Sequence, residues 1–134
     1  MIKITENFDP VLWILLTDTN ETNWERLELD AGKFLQGLSR ITKCHIRAPG
    51  GIEKSRNTHA HIIVEVPNSE IDRFSSRYAR FRPKDFWKRR KFDIRPWKDG
   101  FKTREYTMCK HSLWYDSYCP GYYRSCRKGK CEIF

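Results

Sequence analysis

The sequence predicts an α+β fold, an antiparallel sheet of about five strands with helices packed on it. Three observations lead there. The runs VLWILLT (11–17) and THAHIIVEV (58–66) are apolar or alternating, as strands are. Residues 22–38 and 68–81 switch to apolar steps of three and four, which mark helix faces. With 134 residues, 14% of them aromatic, the chain is long enough for one core and too rich in apolar anchors to stay disordered. It reads as a single domain, 1–134.

VLWILLT is short, unbroken and apolar, as a central buried strand is. In TNWERLELDAGKFLQGL, the residues Trp24, Leu27, Ala31, Phe34 or Leu35, and Leu38 share one helix face, and Thr22 with Glu25 forms a capping box. ITKCHIRA (41–48) alternates and predicts a second strand. PGG (49–51) is turn chemistry, and IEKSRN extends it into a long hairpin loop before the return strand, which Pro67 ends. NSEIDRFSSRYARF is a second amphipathic helix, with Ser69 and Asp72 at its start and Ile71, Phe74, Tyr78 and Phe81 on one face. RPKDFWKRR is a basic loop. KFDIRPW (91–97) is a strand near an edge, because Pro96 lacks a ladder donor. FKTREYTMCKH (101–111) predicts a short helix and LWYDSYC (113–119) a last strand. The resulting order is that of a split βαβ, ferredoxin-like layout.

The formal charge is +9 and is unevenly spread. Residues 73–104 hold thirteen Lys and Arg against three acids, whereas the first 40 residues are near neutral or acidic. Such a concentration suits a polyanionic partner. Within it, Arg77, Arg80, Arg82, Lys84, Lys88, Arg89, Arg90 and Lys91 alternate with Phe86, Trp87 and Trp97, the mixture of cations and stacking surfaces that single-stranded nucleic acid takes. Trp87 is the aromatic expected to contact a base. MIKITENFDP has no basic segment leading into an apolar core, and no run is apolar enough to span a bilayer. With five cysteines and no paired CxxC array, a reduced, intracellular setting without a membrane is expected.

His59 and His61 are two apart on a strand, so both project from one face and suit a shared divalent ion. A third ligand has to come from elsewhere. His45, on the partner strand, and Glu53, nearer the turn, are the candidates. An all-imidazole set favours Mn²⁺, Co²⁺, Ni²⁺ or Zn²⁺, and a carboxylate makes Mg²⁺ more comfortable. In YTMCK, Tyr106 and Lys110 lie one helical turn apart. A phenol is a poor nucleophile at neutral pH, and a neighbouring ammonium with a metal-polarised electrophile would activate it.

HAH on a strand after a hairpin, followed by YTMCK on a helix, resembles the HUH endonuclease superfamily. Within it the chain is most similar to the replication initiator (Rep) nuclease domains of circular single-stranded DNA viruses and plasmids. LWILLT stands where that family has its first motif. Ala60 replaces the bulky residue usual between the histidines, and RAPGGIEKSRN is longer than the family's lead-in to them. The resemblance implies a nuclease domain forming the N-terminal part of a longer replication protein. It implies that His59, His61 and a third ligand bind Mn²⁺ or Mg²⁺. Tyr106 would attack a phosphate in single-stranded DNA at an origin stem-loop to leave a 5′-phosphotyrosine, and Lys110 would help position it. The free 3′-hydroxyl then starts rolling-circle replication. It also implies a monomer working with a fused or separate helicase, for which this chain has no GxxxxGK[ST] loop. The setting would be the host nucleus for a eukaryotic virus or the cytoplasm for a bacterial replicon. Two alternatives stand beside it. One is a small tyrosine transposase of the same superfamily, which usually carries YxxxQ. The other is a non-catalytic ferredoxin-like nucleic-acid-binding domain.

Overall fold

The computed structural model of the chain describes residues 2–4, 6–18, 24–53, 58–87, 91–98, 112–120 and 131–133, with side chains at 6–17, 25–52, 59–87, 91–98 and 117–120. The elements are β1 (Ile2–Ile4), β2 (Phe8–Asp18), α1 (Trp24–Thr42), β3 (Ile46–Glu53), β4 (Thr58–Pro67), α2 (Ile71–Arg77), α3 (Pro83–Phe86), β5 (Lys91–Pro96), β6 (Ser112–Tyr118) and β7 (Cys131–Ile133). Five strands form one antiparallel sheet in the order β5-β2-β4-β3-β6. β2 through β5 with their two helical connections reproduce the ferredoxin-like order, and β6 adds an edge beside β3. β1 and β7 pair in parallel as a separate two-stranded sheet that the sequence pattern did not signal.

Alternation along the strands decides what each face does. Leu12, Ile14 and Leu16 of β2 and Ala60, Ile62, Val64 and Val66 of β4 turn to one face. There they meet Leu27, Ala31, Phe34, Leu35 and Leu38 of α1 in one buried core. Each fully buried Leu or Ile contributes roughly 1.5–3 kcal/mol by leaving water. α2 joins the same layer through Phe74, and the residues flanking α3 join it through Phe81 and Trp87. The predicted α1 face from Leu27 to Leu38 is therefore the observed one.

Several boundaries differ from the sequence reading. The strand predicted from Ile41 starts at Ile46, because α1 runs on to Thr42. Lys43 then turns left-handed at φ 56°, and the Cys44 N–H donates to the Ser39 carbonyl at 3.2 Å. This is a Schellman stop, usually built on glycine. The Thr42 hydroxyl adds a bond to the Leu38 carbonyl at 2.7 Å. PGG is no turn: Pro49, Gly50 and Gly51 lie inside β3. On the β4 side the paired positions pass from Arg47↔Glu65 to Gly50↔Ile62, so Pro49, which lacks an N–H, breaks the ladder without ending the strand. Ser69 does not cap α2. It sits in a 3₁₀ turn (Asn68–Glu70), where its N–H and hydroxyl both donate to the Glu6 carboxylate. α2 stops at Arg77, and Tyr78–Arg80 form another 3₁₀ turn. The Thr22 cap and the predicted helix over 101–111 lie outside the described residues.

α2 fastens the end of α1. Arg73 Nη1 donates to the Lys43 carbonyl at 2.8 Å and Arg77 Nε to the Ile41 carbonyl at 3.2 Å. Both cations sit where the helix dipole is negative. Among the described residues, no helix is long and apolar enough to cross a membrane.

Candidate metal centre and nucleic-acid face

The other face of the sheet carries the predicted histidines. Ala60 and Ile62 are core, so the alternation of β4 sends His59, His61, Ile63 and Glu65 away from the helical layer. The His59 and His61 rings meet edge to face, with centroids 4.9 Å apart. His61 is buried and His59 half-buried. Across β2, Thr17 pairs with His59, Leu15 with His61 and Trp13 with Ile63. The Trp13 indole reaches His61 with ring centroids 6.2 Å apart. Its Nε1–H is enclosed and finds no acceptor among the described residues, so ring contacts place this side chain.

β3 completes the neighbourhood from the other side. Gly51 pairs with His61 and Glu53 with His59. Gly51 puts no side chain beside the buried imidazole. Position 53 shares the histidine face by register, although the Glu53 side chain lies outside those described. His45 is not brought to this place. It precedes β3, six residues before Gly51, or about 20 Å along an extended strand. It is buried against Glu70. Its backbone N–H donates to Oε1 at 3.0 Å, and Nδ1 lies 3.1 Å from Oε2. Arg73 Nη1 stands 3.6 Å from the same carboxylate. His45 therefore closes a polar junction between α1, β3 and α2, and of the two candidate third ligands only position 53 lies beside the pair. Among the described residues, no three His, Cys, Asp or Glu side chains gather as a complete metal cluster.

The expected DNA-binding residues divide. Arg80, Arg82 and Lys84 are exposed, but they belong to the helical layer, on the opposite side of the sheet from His59 and His61. Arg77 is engaged at the end of α1. Trp87 is a correction: it is buried, packed edge-on against Phe34 with centroids 6.2 Å apart, and forms part of the core. The neighbouring exposed ring is Phe86, seated over Gly37, where any added Cβ would collide with it. Lys88, Arg89, Arg90, Tyr106 and Lys110 lie outside the described residues.

Of the cations that do share the histidine face, sequence reading included Lys91 in the basic stretch and missed Arg95. Thr17 pairs with Lys91, Leu15 with Asp93 and Trp13 with Arg95. Arg95 Cζ lies over the Trp13 ring, 5.8 Å from its centroid, and Asp93 Oδ2 holds its Nη2 at 2.9 Å. The signal was present as alternation in KFDIR, charged residues against Phe92 and Ile94. Farther along this face Arg47 covers the Phe8 ring and lies 3.6 Å from Glu65. A groove on the outer side of α1, lined by Glu25, Glu28, Leu29, Lys33 and Tyr118, lies on the helical side of the sheet, away from the histidine face, and its two carboxylates outnumber its one lysine.

Cys44, another buried titratable group, is chemically quiet. Burial first, then the Glu70 charge, pushes its thiol up to about 11. Its Sγ–H donates to the Thr42 carbonyl at 3.3 Å.

No protein-family model matches the chain, and comparison with curated proteins and with solved structures likewise found no match.

Proposed function

We propose that the chain is a metal-dependent, site-specific single-stranded DNA endonuclease and strand-transferase that starts rolling-circle replication. The observation that supports it is the His59–His61 pair, two rings in contact on the face of β4 turned away from the described helices, with position 53 directly across the ladder. Two imidazoles and one oxygen ligand suit Mn²⁺ or Mg²⁺, with room left for a phosphate oxygen. Such an ion, when bound, would withdraw electrons from the scissile phosphate.

The chain's own residues supply the rest. His59 and His61 give neutral nitrogen donors, and Glu53 the oxygen. Tyr106 Oη attacks phosphorus. The bond from phosphorus to the 3′ oxygen breaks, the phenol proton passes to solvent, and the leaving oxygen takes a proton from solvent to depart as a 3′-hydroxyl. The 5′ end stays on the tyrosine as a phosphodiester, so attack by another 3′-hydroxyl rejoins DNA without ATP. Lys110 would neutralise the phenolate as it forms.

The test incubates the protein with Mn²⁺ and a random library of single-stranded oligonucleotides. A protein–DNA adduct stable to denaturation is expected and should disappear in Tyr106→Phe. Retained single-strand binding without any adduct would replace this reading by that of a non-catalytic binding domain. An obligate dimer whose adduct needs the tyrosine of one chain and the histidines of the other would favour the transposase.

A further inference from the structure

We propose that Trp13 and Arg95 form a base-holding subsite for single-stranded DNA beside the histidine pair, with Asp93 fixing the guanidinium. This rests on the reading of the chain as a single-stranded DNA enzyme. Four observations carry it. Trp13 touches His61, so a base on the indole lies one nucleotide or so from a phosphate at the histidines. Arg95 stands over the same indole with its side chain 64% exposed, so the guanidinium can swing outward while Asp93 tethers it. Arg95 Cζ lies 5.8 Å from the indole centroid, less than two stacking distances, so the guanidinium must move outward to admit a flat base between itself and the indole. Lys91 and Arg95 are the cations of β5 on this face, two strands or about 10 Å from β4, placed to follow a backbone leaving the site across the sheet.

Charge selects the occupant. The face offers an exposed lysine, an exposed arginine and an aromatic ring, and the chain carries a net charge of +9. A strand of phosphates with unpaired bases satisfies all of them at once. A duplex cannot, because its bases are stacked on each other. Asp93 orients Arg95 without occupying the indole.

The test measures binding by fluorescence anisotropy, with EDTA present and in a Tyr106→Phe background, so neither metal nor chemistry contributes. Oligo-dT is compared with an abasic strand of equal length on the parent protein, Trp13→Leu, Trp13→Phe and Arg95→Ala. Trp13→Leu should bind oligo-dT roughly 5- to 100-fold more weakly and the abasic strand unchanged. Trp13→Phe should recover most of the loss, which a mere packing defect would not do selectively for the strand with bases. Arg95→Ala should weaken oligo-dT more than the abasic strand. Equal loss for both strands in Trp13→Leu, or none in either, overturns the subsite, as does tighter binding of oligo-rU than oligo-dT. The nicking assay fails independently: a base-dependent Trp13 effect with no tyrosine adduct keeps the subsite and discards the nuclease.

Discussion

Glu70→Ala should be among the most damaging single changes in the chain, although it lies far from the proposed site. The carboxylate is 6% exposed and accepts from the His45 backbone N–H at 3.0 Å and from Nδ1 at 3.1 Å, with Arg73 at 3.6 Å. Removing it leaves a buried N–H without its acceptor, at about 1–3 kcal/mol. It also strips the partner from a buried ion pair, a loss that typically costs 3–5 kcal/mol where both groups are charged. Because these overlap and Arg73 is partly solvated, a total near 3 kcal/mol is expected. Glu70→Gln keeps an oxygen for the N–H and should cost about half as much. Urea unfolding followed by tryptophan fluorescence reads this directly. For a slope near 2 kcal/mol/M, Glu70→Ala moves the midpoint down by about 1.5 M with the slope unchanged. His45→Ala should behave similarly and keep native Mn²⁺ affinity. A shift under about 0.5 kcal/mol for Glu70→Ala, or loss of Mn²⁺ binding in a fully stable His45→Ala, would refute the structural role given to this pair.

Three further outcomes are expected. Lys43→Gly should stabilise by about 1 kcal/mol in the same assay, since the left-handed φ of 56° strains any residue with a Cβ, and destabilisation would contradict the Schellman stop. Cys44 is protonated in the folded chain up to about pH 11 and ionises near 9 when unfolded, so its contribution is complete below pH 9 and lost as pH rises to 11. About 3 kcal/mol should vanish across that window and be spared in Cys44→Ala, and a flat parent profile would count against the burial described. Trp87→Ala should cost about 3–5 kcal/mol by opening the core yet leave single-strand affinity intact at temperatures where it is folded, and a selective loss of DNA binding would restore Trp87 as a contact.

Much of the architecture was legible because it rests on periodicity. The apolar steps of α1 and the alternation in β4 each report one buried face, and the structure buries those faces. Errors arose where a residue type has two uses. Pro49-Gly50-Gly51 reads as a turn from composition, but a strand flanked by two partners absorbs it by omitting one ladder bond. Ser69 reads as a cap but binds a carboxylate, Glu6, that is 63 residues away in sequence. Trp87 sits among cations, which suggested DNA, while the packing of Phe34 and Phe81 decides its place in the core. His45 carried no local sign that Glu70 would claim it. For the site, spacing alone put His59 and His61 on one face. The roles of Trp13 and Arg95 needed the pairing of β2 with β5, which no local pattern contains.

The most direct measurement is a Mn²⁺ titration followed by electron paramagnetic resonance, on the parent chain and on His59→Ala, His61→Ala and His45→Ala. One ion per chain is expected, lost or weakened at least tenfold in the first two variants and retained in the third. Full binding in both His59→Ala and His61→Ala would contradict the central claim that the paired imidazoles on β4 hold the ion.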